Sequence, residues 1–94
     1  MLTLSVVVPI FNEEANLPRC IPIMIETLTQ SGVEYEIILV NDGSQDRSKE
    51  IVENFCEEYQ AIRAFHNERN KGFGSAIKRG FAEAKGDYVL YYPA

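Results

Sequence analysis

Apolar residues fall along this chain in two alternating rhythms. Residues 4–8 (LSVVV), the run from Tyr35 to Val40 and the shorter run from Ile62 to Phe65 are rich in β-branched and aromatic residues and predict strands. From Ile37 onward the second run is apolar at consecutive positions, as in a parallel strand covered on both faces. Pro9, which has no N–H to donate, predicts the end of the first strand. Residues 88–92 (YVLYY) form a last strand, apolar on both sides. Between these runs the period lengthens to that of a helix.

Leu17, Ile21, Met24, Ile25 and Leu28 share one helical face, with Asn16 as N-cap, Pro18 in the first turn, Gly32 as the stop and a kink expected at Pro22. Ile51, Val52, Phe55 and Tyr59 mark a second helix, capped by Ser44 or Asp46. Phe73, Ala76, Ile77, Gly80, Phe81 and Ala84 form the cleanest stripe, stopped at Gly86. The order β-α-β-α-β-α-β predicts one α/β domain over residues 1–94. Right-handed crossovers make it an open parallel sheet of about four strands with helices on both faces.

Composition narrows the class further. With 46% hydrophobic and 24% charged residues the chain is of globular type. A formal net charge of -5 opposes a polyanion, which argues against nucleic acid as a partner. Cys20 and Cys56 lie in predicted helices without a CxxC, so reduced thiols and a cytoplasmic location are expected. The first ten residues (MLTLSVVVPI) have no basic leader and are too short a run to span a membrane.

In open α/β sheets ligands bind beyond the carboxyl ends of the strands. The loops there carry Asn12 and Glu13, then Asp42 and Ser44, then Arg69 and Lys71. The first of them (PIFNEEANLP) contains no glycine, which excludes both the dinucleotide fingerprint and the phosphate-cradling P-loop. Asp42 follows an apolar strand, where a carboxylate can accept the ring N–H of uracil or guanine. Taken alone, an Asn-Asp-Gly turn favours an acid bonded to its own backbone. Arg69 and Lys71, among Asn67, Asn70 and Gly72 at a helix entrance, suit a phosphate, with ordinary surface charge as the alternative. Glu13 suits either a ligand or a helix dipole, and Glu14 the dipole. Lys78 and Arg79 read as a wet helix face, and His66 as structural.

Three segments, SVVVPIFNEEANL, YEIILVNDGSQDRS and NKGFGSAIKRGFAEAKGDYVLYYPA, resemble the leading motifs of family 2 glycosyltransferases with the GT-A fold. They are spread from residue 5 to residue 94, and the pattern is most similar to the polyprenyl-phosphate branch, the dolichyl-phosphate mannosyltransferase-like enzymes. The resemblance implies a Rossmann-like nucleotide-sugar-binding part. Pro9, Phe11 and Glu13 would flank base and ribose, and Asp42 would hold the second acidic position of a DDGS-like turn whose first position is Asn41. With Ser44, Arg69, Lys71 and Gly72 these make the candidate nucleotide-binding set.

The same resemblance implies a nucleotide diphosphate sugar of UDP or GDP type as donor, and a lipid phosphate as a candidate acceptor. It also implies a divalent metal, Mg or Mn, in the whole enzyme, held by a DxD motif expected just after the last strand. Because the chain stops at YYPA, its residues are expected to supply neither metal ligands nor a catalytic base, and these 94 residues to be silent alone. The apolar strand at residues 88–92 predicts self-association. A non-catalytic interaction module that uses this open edge is the alternative. A phosphoacceptor receiver is disfavoured, because no acidic cluster lies in the first loop.

Overall fold

The structure, a computed structural model, describes residues 2–94. Strands β1 (Leu4–Ile10), β2 (Tyr35–Asp42), β3 (Ile62–Asn67) and β4 (Tyr88–Tyr91) alternate with helices α1 (Leu17–Ser31), α2 (Ser48–Glu58) and α3 (Phe73–Glu83). All strand pairs are parallel, in the order β3-β2-β1-β4. The α/β architecture expected from the alternation of periods is therefore the one formed.

Topology dictates which face each helix covers. The chain steps from β1 to β2 to β3 in one direction, and then returns past β1 to β4. A right-handed crossover run in the opposite direction must lie on the opposite face. Accordingly Val6, Val8, Ile10, Ile37 and Leu39 pack with Leu17 and Ile21 of α1 and Val52 of α2. Val7, Ile38 and Val40 face the other way, against Ala76 of α3. Alpha-3 sits close to the sheet because small residues meet it: a Cβ at Gly80 would collide with Val7 Cγ1.

The face of β2 turned to α3 reads Glu36, Ile38, Val40, Asp42, with an acid at each end of an apolar pair. Glu36 is 5% exposed, yet every bond it needs is present. Its Oε2 accepts from Ser5 Oγ (2.6 Å) and from the Lys85 N–H (2.8 Å). Its Oε1 accepts from Arg63 Nη2 (2.8 Å) and Nε (3.1 Å). Arg63 also donates to the Glu83 carbonyl at 2.7 Å, and Gly86 N–H to Ser5 Oγ at 2.8 Å. Burial pushes Glu36 upward, but the bonds from Ser5, Lys85 and Arg63 outweigh it and hold the carboxyl below its ordinary range. This network pins the chain leaving α3 to the sheet.

Several local expectations change. Pro9 lies inside β1, opposite Val40, instead of ending it. Val7 O accepts from Tyr92 N–H, so odd positions of β1 turn their backbone toward β4, and Pro9 falls beyond the last β4 pairing, where no donor is needed. Beta-2 continues through Asn41 and Asp42, whose partners in register are His66 and Asn67. Alpha-1 runs on through Pro22 and ends at Gly32 (φ 79°). Alpha-3 ends at Glu83, three residues before Gly86, because the Glu36 network takes the backbone of Lys85 and Gly86. All four residues of β4 are exposed. Among the described residues no helix is long and apolar enough to cross a membrane.

Candidate functional site

The site lies at the carboxyl ends of β1, β2 and β3, where three loops meet. The first two are stapled by side chains of the second accepting backbone groups of the first. Asn12 N–H donates to Ser44 Oγ (3.0 Å), Glu13 N–H to Ser48 Oγ (2.9 Å) and Glu14 N–H to an Asp46 oxygen (3.1 Å). Asn12 returns the contact, its Oδ1 accepting from the Gln45 N–H at 2.8 Å. Asn12 has a φ of 52°, the left-handed region that asparagine tolerates better than most residues. The polar residues of SQDRS thus accept the N–H groups of Asn12, Glu13 and Glu14 in the glycine-free first loop.

The N-cap position of α2 is Arg47, neither of the two expected residues, but Asp46 just before it bonds the first turn, its Oδ1 accepting the Ser48 N–H at 2.9 Å, while Ser44 is taken by Asn12. Burial raises the Asp46 carboxyl, but bonds from Ser48 and the Glu14 N–H dominate and lower it.

The third loop is held by Asp42, which is 3% exposed. Its Oδ1 accepts from Asn67 Nδ2 (2.8 Å) and the Lys71 N–H (2.9 Å), and its Oδ2 from the Gly72 N–H (2.9 Å). Gly43 (φ 71°) follows directly, and a Cβ there would strike the backbone of Arg69 and Asn70. A glycine is required where the second and third loops press together. Asn41 turns to the opposite face, where its Nδ2 meets His66 Nδ1 at 3.0 Å. Burial lowers the His66 pKa, Glu53 opposes this, and Lys49 and Arg79 add to it.

A cleft of about 350 Å³ opens between the first and third loops, lined by Pro9, Phe11, Glu13, Asp42, Gly72 and neighbouring groups. Those five come from the candidate set. Ser44, Arg69 and Lys71 do not line it: Ser44 bonds the first loop, and Arg69 and Lys71 are exposed, Lys71 contributing its backbone N–H to Asp42. Asn70, Phe73 and Ala76 also form the wall, though they are outside the candidate nucleotide-binding set. Phe73 stands on the stripe of α3 but is 56% exposed, edge-on to Tyr91 at 5.7 Å.

Arg79 is not simply a wet residue. Its guanidinium lies over Phe65 at 5.1 Å and donates to Asn67 Oδ1 at 2.8 Å. Sequence offered one signal for this, the period that puts Arg79 one turn from the buried Ala76, but no signal for its partner. Among the described residues no group of three or more His, Cys, Asp or Glu side chains is arranged to hold a metal ion.

The sequence model described as Glycosyl transferase family 2 matches residues 5–92. A dolichyl-phosphate beta-glucosyltransferase of Trichomonas vaginalis is 38% identical over 96 residues, covering 97% of this chain and 30% of its own. An undecaprenyl-phosphate 4-deoxy-4-formamido-L-arabinose transferase of Proteus mirabilis is 43% identical over 88 residues, covering 92% and 27%. The solved structure of S. aureus TarS 1-349 superimposes with a TM-score of 0.80 at 25% identity, over 98% of this chain and 27% of that one. Its complex with UDP-GlcNAc superimposes at 0.76 and 26% identity, over 98% and 26%. The chain spans less than a third of the length of these curated relatives.

Proposed function

The chain belongs to glycosyl transferase family 2, and on that premise we propose that its cleft receives the nucleotide of a nucleotide diphosphate sugar. The observation that carries this reading is Asp42. A carboxylate offers about four acceptor positions, and here three are taken by neutral donors. The remaining position is on Oδ2, in a residue that lines the cleft. An acceptor so placed selects a base with a ring N–H, as in uracil or guanine. Phe11, 44% exposed at the same wall, supplies an aromatic face for base or ribose. Glu13, whose Oε1 accepts from Asn16 Nδ2 at 2.7 Å, is oriented as a second acceptor.

The names of the relatives support a whole protein that transfers the sugar to a polyprenyl phosphate. Loss of a nucleotide diphosphate needs its growing charge neutralised. The described residues do not fit a divalent ion, since no three His, Cys, Asp or Glu side chains among them are grouped to hold one.

Calorimetry with uridine and guanosine diphosphate tests the reading. The wild type is expected to bind one of them, Phe11→Ala to weaken it, and Asp42→Asn to weaken it at least about tenfold, the effect of losing a hydrogen bond to a charged group. Absence of heat with both nucleotides, or equal binding by all three proteins, would reject it.

We also propose that copies of this chain pair through residues 88–92, because β4 is an apolar edge strand with every residue exposed. Light scattering at high concentration should show a dimer, and a strictly monomeric species would rule this out.

A further inference from the structure

We propose that Arg79 and Asn67 are positioning residues for base selection, acting on the cleft only through Asp42. This rests on the nucleotide reading above and deepens it. Beta-3 presents Phe65 and Asn67 on the face covered by α3, and Arg79 of α3 spans both. The guanidinium over Phe65, at 5.1 Å, fixes the plane from which it donates to Asn67 Oδ1 at 2.8 Å and to the His66 carbonyl at 3.5 Å.

With its oxygen thus occupied, the Asn67 amide has one orientation left. Its Nδ2 must face Asp42, in register on the neighbouring strand, and it does so at 2.8 Å. Asn67 is 8% exposed and Asp42 3%, so water cannot readily substitute for either contact. Oδ1 of Asp42 then carries two donors and Oδ2 one, which leaves the fourth acceptor position on Oδ2 of a residue that lines the cleft. The cation never meets the acid. It governs where the acid points, and leaves the acid's last acceptor position for a ligand.

The test compares wild type, Arg79→Met and Arg79→Gln, the last keeping an N–H donor without the charge. Each is titrated with uridine diphosphate and its N3-methyl analogue, and with guanosine diphosphate and its N1-methyl analogue. For whichever nucleotide the wild type prefers, Arg79→Met should lower the preference for the unmethylated base by about tenfold, the size of one hydrogen bond to a charged group. Arg79→Gln should restore part of it. A variant that weakens both members of a pair equally has only loosened the fold, and that outcome overturns the proposal.

Amide exchange supplies a readout that needs no nucleotide. Lys71 and Gly72, whose N–H groups Asp42 accepts, should exchange faster in Arg79→Met than in wild type, and Asn67→Ala should reproduce this. Unchanged exchange in both variants would also overturn the proposal. A wild type that binds neither nucleotide while Lys71 and Gly72 respond would refute the nucleotide reading and with it the selection role, leaving only the alignment of Asp42.

Discussion

Glu36 and Asp42 stand six positions apart on one strand, on the same face, and both are almost fully buried. Each accepts backbone N–H groups beside α3: Lys85 after its last turn for Glu36, Lys71 and Gly72 before its first for Asp42. The helix is held to the sheet at both ends by acids of a single strand. The difference is the cation. Glu36 is paired directly with Arg63, and with Ser5 and Lys85 it is closed in on itself. Asp42 has only neutral donors, while Arg79 stops one residue short, at Asn67. An acid already matched by a guanidinium has little to offer a ligand; an acid held by amides at the edge of a cleft does.

The largest effect should come from breaking the closed end. Glu36→Ala leaves Arg63 without its carboxylate and the Lys85 N–H without an acceptor, and should cost roughly 3 kcal/mol of stability, read from a denaturant midpoint. It should leave the preference among nucleotides unchanged, since neither Glu36 nor any of its partners lines the cleft. The same end should contribute to the acid limb of stability. The folded pKa of Glu36 lies below its unfolded value, so its contribution is complete above the ordinary glutamate range near about 4.3 and is lost as pH falls through the depressed folded value. Glu36→Gln should flatten that limb.

A smaller change should sharpen the comparison from the other side. Ser44→Ala removes the acceptor of the Asn12 N–H, and should cost about 1 kcal/mol while speeding amide exchange at Asn12. If Ser44→Ala destabilised as much as Glu36→Ala, the division between a closed structural end and an open binding end would fail.

Much of this was legible because it depends on local periods. The apolar runs of β1 and β2 and the stripe of α3 follow from side-chain spacing alone, and Asp42 is placed by ending an apolar run, Phe11 and Glu13 by following one. The role of Arg79 was not legible, since one turn from Ala76 it could equally face water, and only Phe65 and Asn67 on β3 decide that it does not. Nor was the stapling role of Ser44, Asp46 and Ser48, because acceptors can be counted in a sequence but the N–H groups that need them, 32 to 35 residues away, cannot. Arg69 and Lys71 show the converse: cations that suit a phosphate by composition are exposed and do not line the cleft.

The order of elements and the handed crossovers determined the sheet, and with it the rim where three loops had to meet. Which lone pairs at that rim are consumed and which stay open was decided by packing. Hydrogen-bond partners are chosen by distances of a few tenths of an ångström between strands far apart in the chain, and that scale exists only once α3 has settled onto β1 and β2.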